Sequence, residues 1–259
     1  MAFLARHGIA HRVQPSEINF RANIHGFRQL GVSRVISASA VGSMREEIEP
    51  LHLVVPDQMI DRTVSRSMSF FGDGIVAHVS LADPFCSVLR DTLIQGGQEA
   101  GARVHARGTY LCMEGPQFST RAESNLFRSW GVAVIGMTNL PEARLAREAE
   151  LCYSTLALVT DYDCWRETED DVSVDAVLSN LRRNADTAAR VLKQAIRTLP
   201  AERSCGCGRA LATALITQPP FPAAAKRRLG LLIGPYDKSS RAATPARRRR
   251  PARTAGARR

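Results

Sequence analysis

Val132-Ala-Val-Ile135, then Pro141-Glu-Ala-Arg-Leu-Ala-Arg-Glu148, then Ser154-Thr-Leu-Ala-Leu-Val-Thr160, is the stretch that decides the fold class. The first and last segments are short, continuous apolar runs, the pattern of buried strands rather than of amphipathic helices. Pro141 suits the first position of a helix, where its missing N–H would have had no partner in any case. The reading is strand, helix, strand, with both strands in the interior.

The same alternation extends in both directions. Upstream, Pro15-Ser16 opens a helix with apolar positions Phe20, Ile24, Phe27 and Leu30, and Gly31 closes it. A strand through Val35-Ile36 runs into a loop of small residues from Ser37 to Ser43. Leu53-Val54-Val55 and Gly74-Ile75-Val76-Ala77 read as short extended segments, Ser87 to Ala100 as a helix, and Val104 to Met113 as extended. Thr120-Arg-Ala-Glu123 has the form of a capping box, in which hydroxyl and carboxylate each satisfy a free backbone N–H. Downstream, Val177, Leu178, Leu181, Ala185, Ala188, Leu192, Ala195, Ile196 and Leu199 form one stripe of a long helix, Val174 to Leu199, which Pro200 ends. Strands separated by helices predict an α/β fold, a mixed twisted sheet with helices on both faces. Apolar stretches between residues 205 and 236 are read as capping that domain.

Charge divides the chain. Its 259 residues carry 35 Lys and Arg against 25 Asp and Glu, a net charge of +10, which alone suggests a partner of nucleic acid or another polyanion. Twelve of those basic residues and one acid, Asp237, lie from Ala223 onward, leaving 23 basic and 24 acidic groups in the first 222 residues. The body is neutral, and residues 237–259, mostly Arg, Ala, Pro, Thr and Ser, are expected to form a disordered basic tail. Nucleic acid is expected as a partner only through that tail. At 44% hydrophobic and 23% charged the whole is not a disordered chain. No apolar run reaches the roughly 18 residues of a membrane span, so no membrane partner is expected. The start lacks a signal-peptide core. Of six cysteines only Cys205 and Cys207 sit close together, which is no disulfide framework and predicts a reducing, cytoplasmic compartment.

Four segments carry chemistry where the pattern places the ends of strands. Arg6-His7-Gly8 places two cationic groups beside a flexible residue, and Ser37 to Ser43 offers small residues whose N–H groups and hydroxyls can meet an anion. Met113-Glu-Gly-Pro-Gln-Phe-Ser119 sets a carboxylate and an aromatic beside a Gly-Pro turn, where function and structural punctuation are evenly matched. Thr160-Asp-Tyr-Asp-Cys-Trp165 puts Asp161 and Asp163 directly after a buried strand. No His or Cys cluster accompanies these two carboxylates, so no metal is expected on them.

Together these segments resemble the purine nucleoside phosphorylase family, in particular the branch acting on S-methyl-5′-thioadenosine. The likeness also includes Phe70-Phe-Gly-Asp-Gly-Ile-Val-Ala-His78, Met113 through Ser124, and Ile135-Gly-Met-Thr-Asn-Leu-Pro-Glu142, and runs from about residue 2 to Tyr236. It implies a phosphorylase domain over residues 1–236 in which phosphate attacks C1′ and adenine departs. Inorganic phosphate is then a co-substrate, and no cofactor is implied. The resemblance gives phosphate contacts to Arg6, His7, Ser39, Thr138 and the backbone of Ala40. It gives the ribose hydroxyls to the backbone of Met137, the base and sugar to Phe118 with Ser119 beside it, and the purine to Asp161 and Asp163, with Asp161 as the catalytic carboxyl. His78 would close the methylthio pocket of a neighbouring subunit, and Val174 and Val177 would line that pocket, in a homotrimer or homohexamer. A carboxylate accepts from a 6-amino group and repels a 6-oxo group, so Asp161 argues for adenine over hypoxanthine; a broader purine nucleoside phosphorylase is the alternative. Members of the family carry a further strand and a Gly-rich turn with Ser or Thr ahead of the segment at Arg6. The sequence starts downstream of both, so the expectation is a start codon assigned too far downstream, or else a truncated relative of weak or no activity whose Arg-rich tail binds nucleic acid.

Overall fold

Cys152 to Asp161 form a ten-residue strand with nine buried positions, and the rest of the domain is built around it. In this computed structural model residues 1–166 and 174–237 are described, with the backbone alone at 174–176. The strands are β1 (Arg34–Ser43), β2 (Leu53–Val54), β3 (Gln58–Arg62), β4 (Val104–His105), β5 (Thr109–Met113), β6 (Val134–Gly136) and β7 (Cys152–Asp161). The helices are α1 (Phe20–Gln29), α2 (Ser87–Glu99), α3 (Arg121–Ser129), α4 (Glu142–Glu148), α5 (Val174–Thr198) and α6 (Ala223–Ile233).

One sheet takes the order β3-β5-β6-β1-β7-β2-β4. It is mixed: β1 runs parallel to β7 but antiparallel to β6, and β2 runs antiparallel to β7. Side chains of β7 alternate between two cores. Tyr153, Ala157 and Val159 join α1, α4 and α6 on one face, while Leu156 and Leu158 join α2 and α5 on the other. Gly96 lets α2 press against α5, since a Cβ there would stand 2.9 Å from the Ala195 nitrogen. Helices therefore cover both faces, as the alternating pattern predicts. Among the described residues no helix is long and apolar enough to cross a membrane.

Local signals account for much of this and miss some of it. The capping box forms as read: the Glu123 N–H donates to the Thr120 hydroxyl, and the Thr120 N–H donates to the Glu123 carboxylate at 2.8 Å. The segment from Ser37 to Ser43 is not a loop but the continuation of β1, because Ala, Ser and Val are small enough to lie in a sheet pressed between helices and pair in register with β7. Val104 to Met113 splits into β4 and β5 around Gly108. Gly74 to Ala77 makes only isolated bridges, Gly72 to Ile75 and Ala77 to Leu215. Strand β3, whose sequence Gln-Met-Ile-Asp-Arg alternates weakly, gave no usable signal. Leu30, counted in the apolar stripe of α1, lies at its C-cap and is exposed. The basic tail falls outside the described residues, apart from Asp237, which is buried in an ion pair with Lys226.

Candidate active site

Arg6 is held from several sides although it lies on a turn. One guanidinium nitrogen donates to the Ser37 hydroxyl at 2.8 Å and to Glu142 at 3.1 Å, the other to Thr138 Oγ1 at 2.8 Å and to the Ala38 carbonyl at 3.1 Å. Glu142 is the first residue of α4, where the free N–H groups of a helix start favour a carboxylate. The Tyr153 hydroxyl donates to Glu142 at 2.8 Å and lies 2.8 Å from Asn139 Oδ1, which also accepts from Thr155. Burial works against the Arg6 charge, Glu142 works for it, and the balance leaves the guanidinium above its ordinary pKa. Thr138 and Tyr110 both meet the Ser39 hydroxyl at 3.1 Å, so a run of hydroxyls extends from the guanidinium into the sheet.

Next to it, His7 Nδ1 donates to the Val13 carbonyl at 2.8 Å, which leaves Nε2 for a ligand. Burial lowers the His7 pKa, so the ring favours its neutral form more than a free histidine does. Between Arg34 and Val41, β1 pairs with β7 along one edge, and β6 reaches only Gly42 and Ser43 on the other. The Ala38 carbonyl on that free edge already meets Arg6. By strand alternation the N–H of Ala40 points the same way. An anion beside Arg6 thus finds a guanidinium, two hydroxyls and an edge N–H together.

At the carboxyl end of β7 stand the two aspartates. Asp161 is oriented by the Thr160 hydroxyl at 2.7 Å and by the Asp163 N–H at 2.8 Å. Asp163 adopts a left-handed backbone, φ 55°, which aspartate tolerates better than most residues. Burial pushes the Asp163 pKa up against a weaker pull from the nearby Ser124 hydroxyl, and its Oδ2 is buried without a hydrogen bond. The β1–β7 register shifts between Val41 and Gly42, beside these residues. A Cβ at Gly42 would stand 2.9 Å from Asp161 Oδ1 and 3.2 Å from Ile135. Gly42→Ala is therefore expected to push the Asp161 carboxylate aside and cut turnover about tenfold while leaving the fold intact, as steady-state rates beside a circular-dichroism melt would show.

Arg6, His7, Ser39, Ala40 and Thr138 line one cleft at its anion end. Phe118, Met137, Asp161, Asp163 and Val177 line another part of the same cleft, which also runs along Arg34, Val35 and Ile36 of β1 and past Leu192, Ile196 and Leu199 at the end of α5. Its volume of about 2190 Å³ exceeds the roughly 300–1,000 Å³ of a closed small-molecule site, so one small ligand does not fill it. Ser119 is not on its wall; the hydroxyl points to the Met113 sulfur and the carbonyl accepts from Cys164. His78 is not on the wall either. It is exposed, with its N–H donating to the Ala214 carbonyl at 2.8 Å. The side chain of Val174 lies outside the described residues.

Glu114, one of the residues that made its segment conspicuous, serves structure. Its carboxylate accepts from the Val64 N–H at 2.6 Å, from the Ser65 hydroxyl at 2.7 Å and from Arg66 at 3.3 Å. Arg66 in turn donates to the carbonyls of Glu114, Met137 and Leu140, each at 2.6 Å. It thereby holds the Met137–Thr138 segment against the cleft. Arg66, Glu142, Tyr153 and Gly42 escape a reading of the sequence, because each acts through a partner far along the chain.

The family model described as the phosphorylase superfamily matches residues 1–197. The S-methyl-5′-thioadenosine phosphorylase of Geobacter sulfurreducens is 58% identical over 238 residues, covering 91% of this chain and 83% of that protein. A crystal structure of a methylthioadenosine phosphorylase from an antarctic soil metagenomic library superposes with a TM-score of 0.85 at 51% identity, covering 89% of this chain and 82% of that one. A methylthioadenosine phosphorylase from Schistosoma mansoni, solved in complex with adenine, gives 0.75 at 32% identity, covering 88% and 81%.

Proposed function

We propose, on the premise that this chain belongs to the phosphorylase superfamily, that it splits S-methyl-5′-thioadenosine with inorganic phosphate into adenine and 5-methylthioribose 1-phosphate. It is a pentosyltransferase of methionine and purine salvage, acting in the cytoplasm. The observation that carries this reading is a single cleft whose wall holds both the Arg6, Thr138 and Ser39 cluster and the Asp161–Asp163 pair. Breaking the glycosidic bond builds positive charge on the sugar and negative charge on the purine. Phosphate held by Arg6, His7, Ser39, Thr138 and the Ala40 N–H offsets the first and attacks C1′. The second is met by a proton at purine N7. Asp161 accepts from the 6-amino group, and the proton, expected on Asp161 from the resemblance, is proposed instead to reside on Asp163, whose burial favours the neutral carboxyl. Met137 binds the ribose hydroxyls through its backbone, and Phe118 lies against base and sugar with Ser119 behind it. The open side of the cleft is closed by a neighbouring subunit that contributes His78 toward the apolar wall at Val177 and Val174, in a homotrimer or a pair of trimers.

The test is release of adenine from S-methyl-5′-thioadenosine by the purified chain, with and without phosphate. Release that needs phosphate and survives deletion of residues 238–259 supports the reading. Absence of release at any phosphate concentration, in a preparation shown to be folded, sinks it. The base-reading role has its own check. In Asp161→Asn the preference for adenine over hypoxanthine nucleosides is expected to fall by about 10²-fold or more, since the amide offers a donor to a 6-oxo group. Unchanged discrimination would remove Asp161 from that role.

A further inference from the structure

At the end of the sheet opposite Asp161, the thiols of Cys86, Cys152, Cys205 and Cys207 converge. Their four Sγ atoms all lie within 4.8 Å of one another, and those of Cys152 and Cys205 are 3.3 Å apart. Three separate parts of the chain supply them. Cys86 caps the start of α2, Cys152 opens β7, and Cys205 and Cys207 flank Gly206 at a short 3-10 turn. Cys86, Cys152 and Cys207 are buried and Cys205 is half-buried, with Leu89, Ile36, Val88 and Leu199 packed around them.

Four thiolates about 2.3 Å from a zinc ion lie roughly 3.8 Å from one another, inside the spread found here. An apolar shell with all-sulfur donors selects a soft or borderline cation over magnesium or calcium. The backbone around it is braced: Arg34 donates to the carbonyls of Pro200 and Glu202 at 2.7 and 2.9 Å, and Arg203 donates to the Glu150 carbonyl at 2.9 Å.

We propose that Cys86, Cys152, Cys205 and Cys207 form a structural tetrathiolate site for one zinc ion. The site takes no part in the cleavage reaction. Cys152 and Asp161 stand at opposite ends of β7, about 30 Å apart at 3.3 Å per residue. It ties the segment after α5 to the first residues of α2 and β7. Farther along that segment the Leu211 N–H donates to Glu150, and the Ala214 carbonyl receives the N–H of His78. The ion would thus anchor the stretch on which His78 rests.

The full chain, reduced and stripped of metal, is titrated without oxygen, first with Co²⁺ and then with Zn²⁺. One equivalent of Co²⁺ is expected to give the near-ultraviolet charge-transfer and visible bands of a tetrahedral cobalt thiolate, and Zn²⁺ to abolish them. Zinc should raise Tm by about 5 °C or more and leave the rate of adenine release at 25 °C unchanged. The variant C205S/C207S should lose both the bands and the zinc-dependent rise in Tm. X-ray absorption at the zinc edge of the wild-type chain reads the ligand set directly, so the question stands even if that variant does not fold: four sulfur neighbours are expected. A shell with nitrogen or oxygen, no thiolate bands at saturating Co²⁺, or disulfides re-forming among the four cysteines in the presence of equimolar zinc would each overturn the proposal. The outcome is independent of which substrate the enzyme cleaves.

Discussion

Arg6→Ala is expected to lower kcat/KM for phosphate by about 10³ and to lower Tm as well. Loss of one fixed donor to developing charge costs about 10²–10³, and Arg6 is a cation that offers donors from two nitrogens at once. The stability effect has a separate source. Arg6 and Glu142 form an ion pair whose side chains are only 13% and 7% exposed, so truncation strands a buried carboxylate. Removing one partner of such a pair costs about 3–5 kcal/mol. The double variant Arg6→Ala/Glu142→Gln separates the two effects. Its glutamine still accepts from Tyr153 without leaving a charge unpaired, so Tm should recover while phosphate turnover stays low. Arg6→Lys keeps the charge and loses the fork, and an intermediate rate is expected. Phosphate saturation curves and thermal melts of the three variants check this. A normal KM for phosphate in Arg6→Ala would remove Arg6 from the anion site.

Asp163→Asn is expected to cost about 10² in kcat/KM and to flatten the alkaline limb of its pH profile. If the departing purine takes its proton from a carboxyl held above the ordinary range by burial, activity falls as pH rises through that raised pKa. The amide neither gains nor loses the proton. Stability responds with the same sign. A carboxyl whose folded pKa lies above its unfolded value contributes stability that is full below the unfolded pKa and disappears as pH rises through the folded one. The melting temperatures of Asp163→Asn and wild type should therefore diverge in favour of the variant as pH is raised from about 4 toward 7. Glu148, also raised by burial, is present in both proteins and cancels from the comparison. An alkaline limb identical to that of wild type would place the proton on another group.

How much of this was legible in the sequence follows from how far each signal reaches. The capping box at Thr120 and the apolar run of β7 are local patterns and read correctly, as does the extent of α5, but in its stripe Leu178, Ala185 and Ile196 are exposed and Val191, left out of it, is buried. Asp161 and Asp163 stood out because two carboxylates immediately after a buried run need a reason to be there. Ser37 to Ser43 misled, since small residues serve a turn and a tightly packed strand equally well, and only pairing with β7 decides between them. The partners of Arg6 were out of reach: Glu142 lies 136 positions away, and at a helix start an acidic residue already has an ordinary explanation. Cys86 and Cys152 were likewise too distant from Cys205 and Cys207 for spacing to connect them.

Strand β7 sets a constraint on how the molecule tolerates changes of length. It is wedged between β1 and β2, and its alternate side chains belong to two different cores. Deleting or inserting one residue between Cys152 and Thr160 would move Asp161 by about 3.3 Å and turn every later side chain to the opposite face. Leucines bound for α5 would then point at α4, and the Asp161 carboxylate would leave the cleft. Changes of length are thus expected to be tolerated in the turns around this strand and not within it, and the count of residues along β7 acts as a ruler that sets where Asp161 stands.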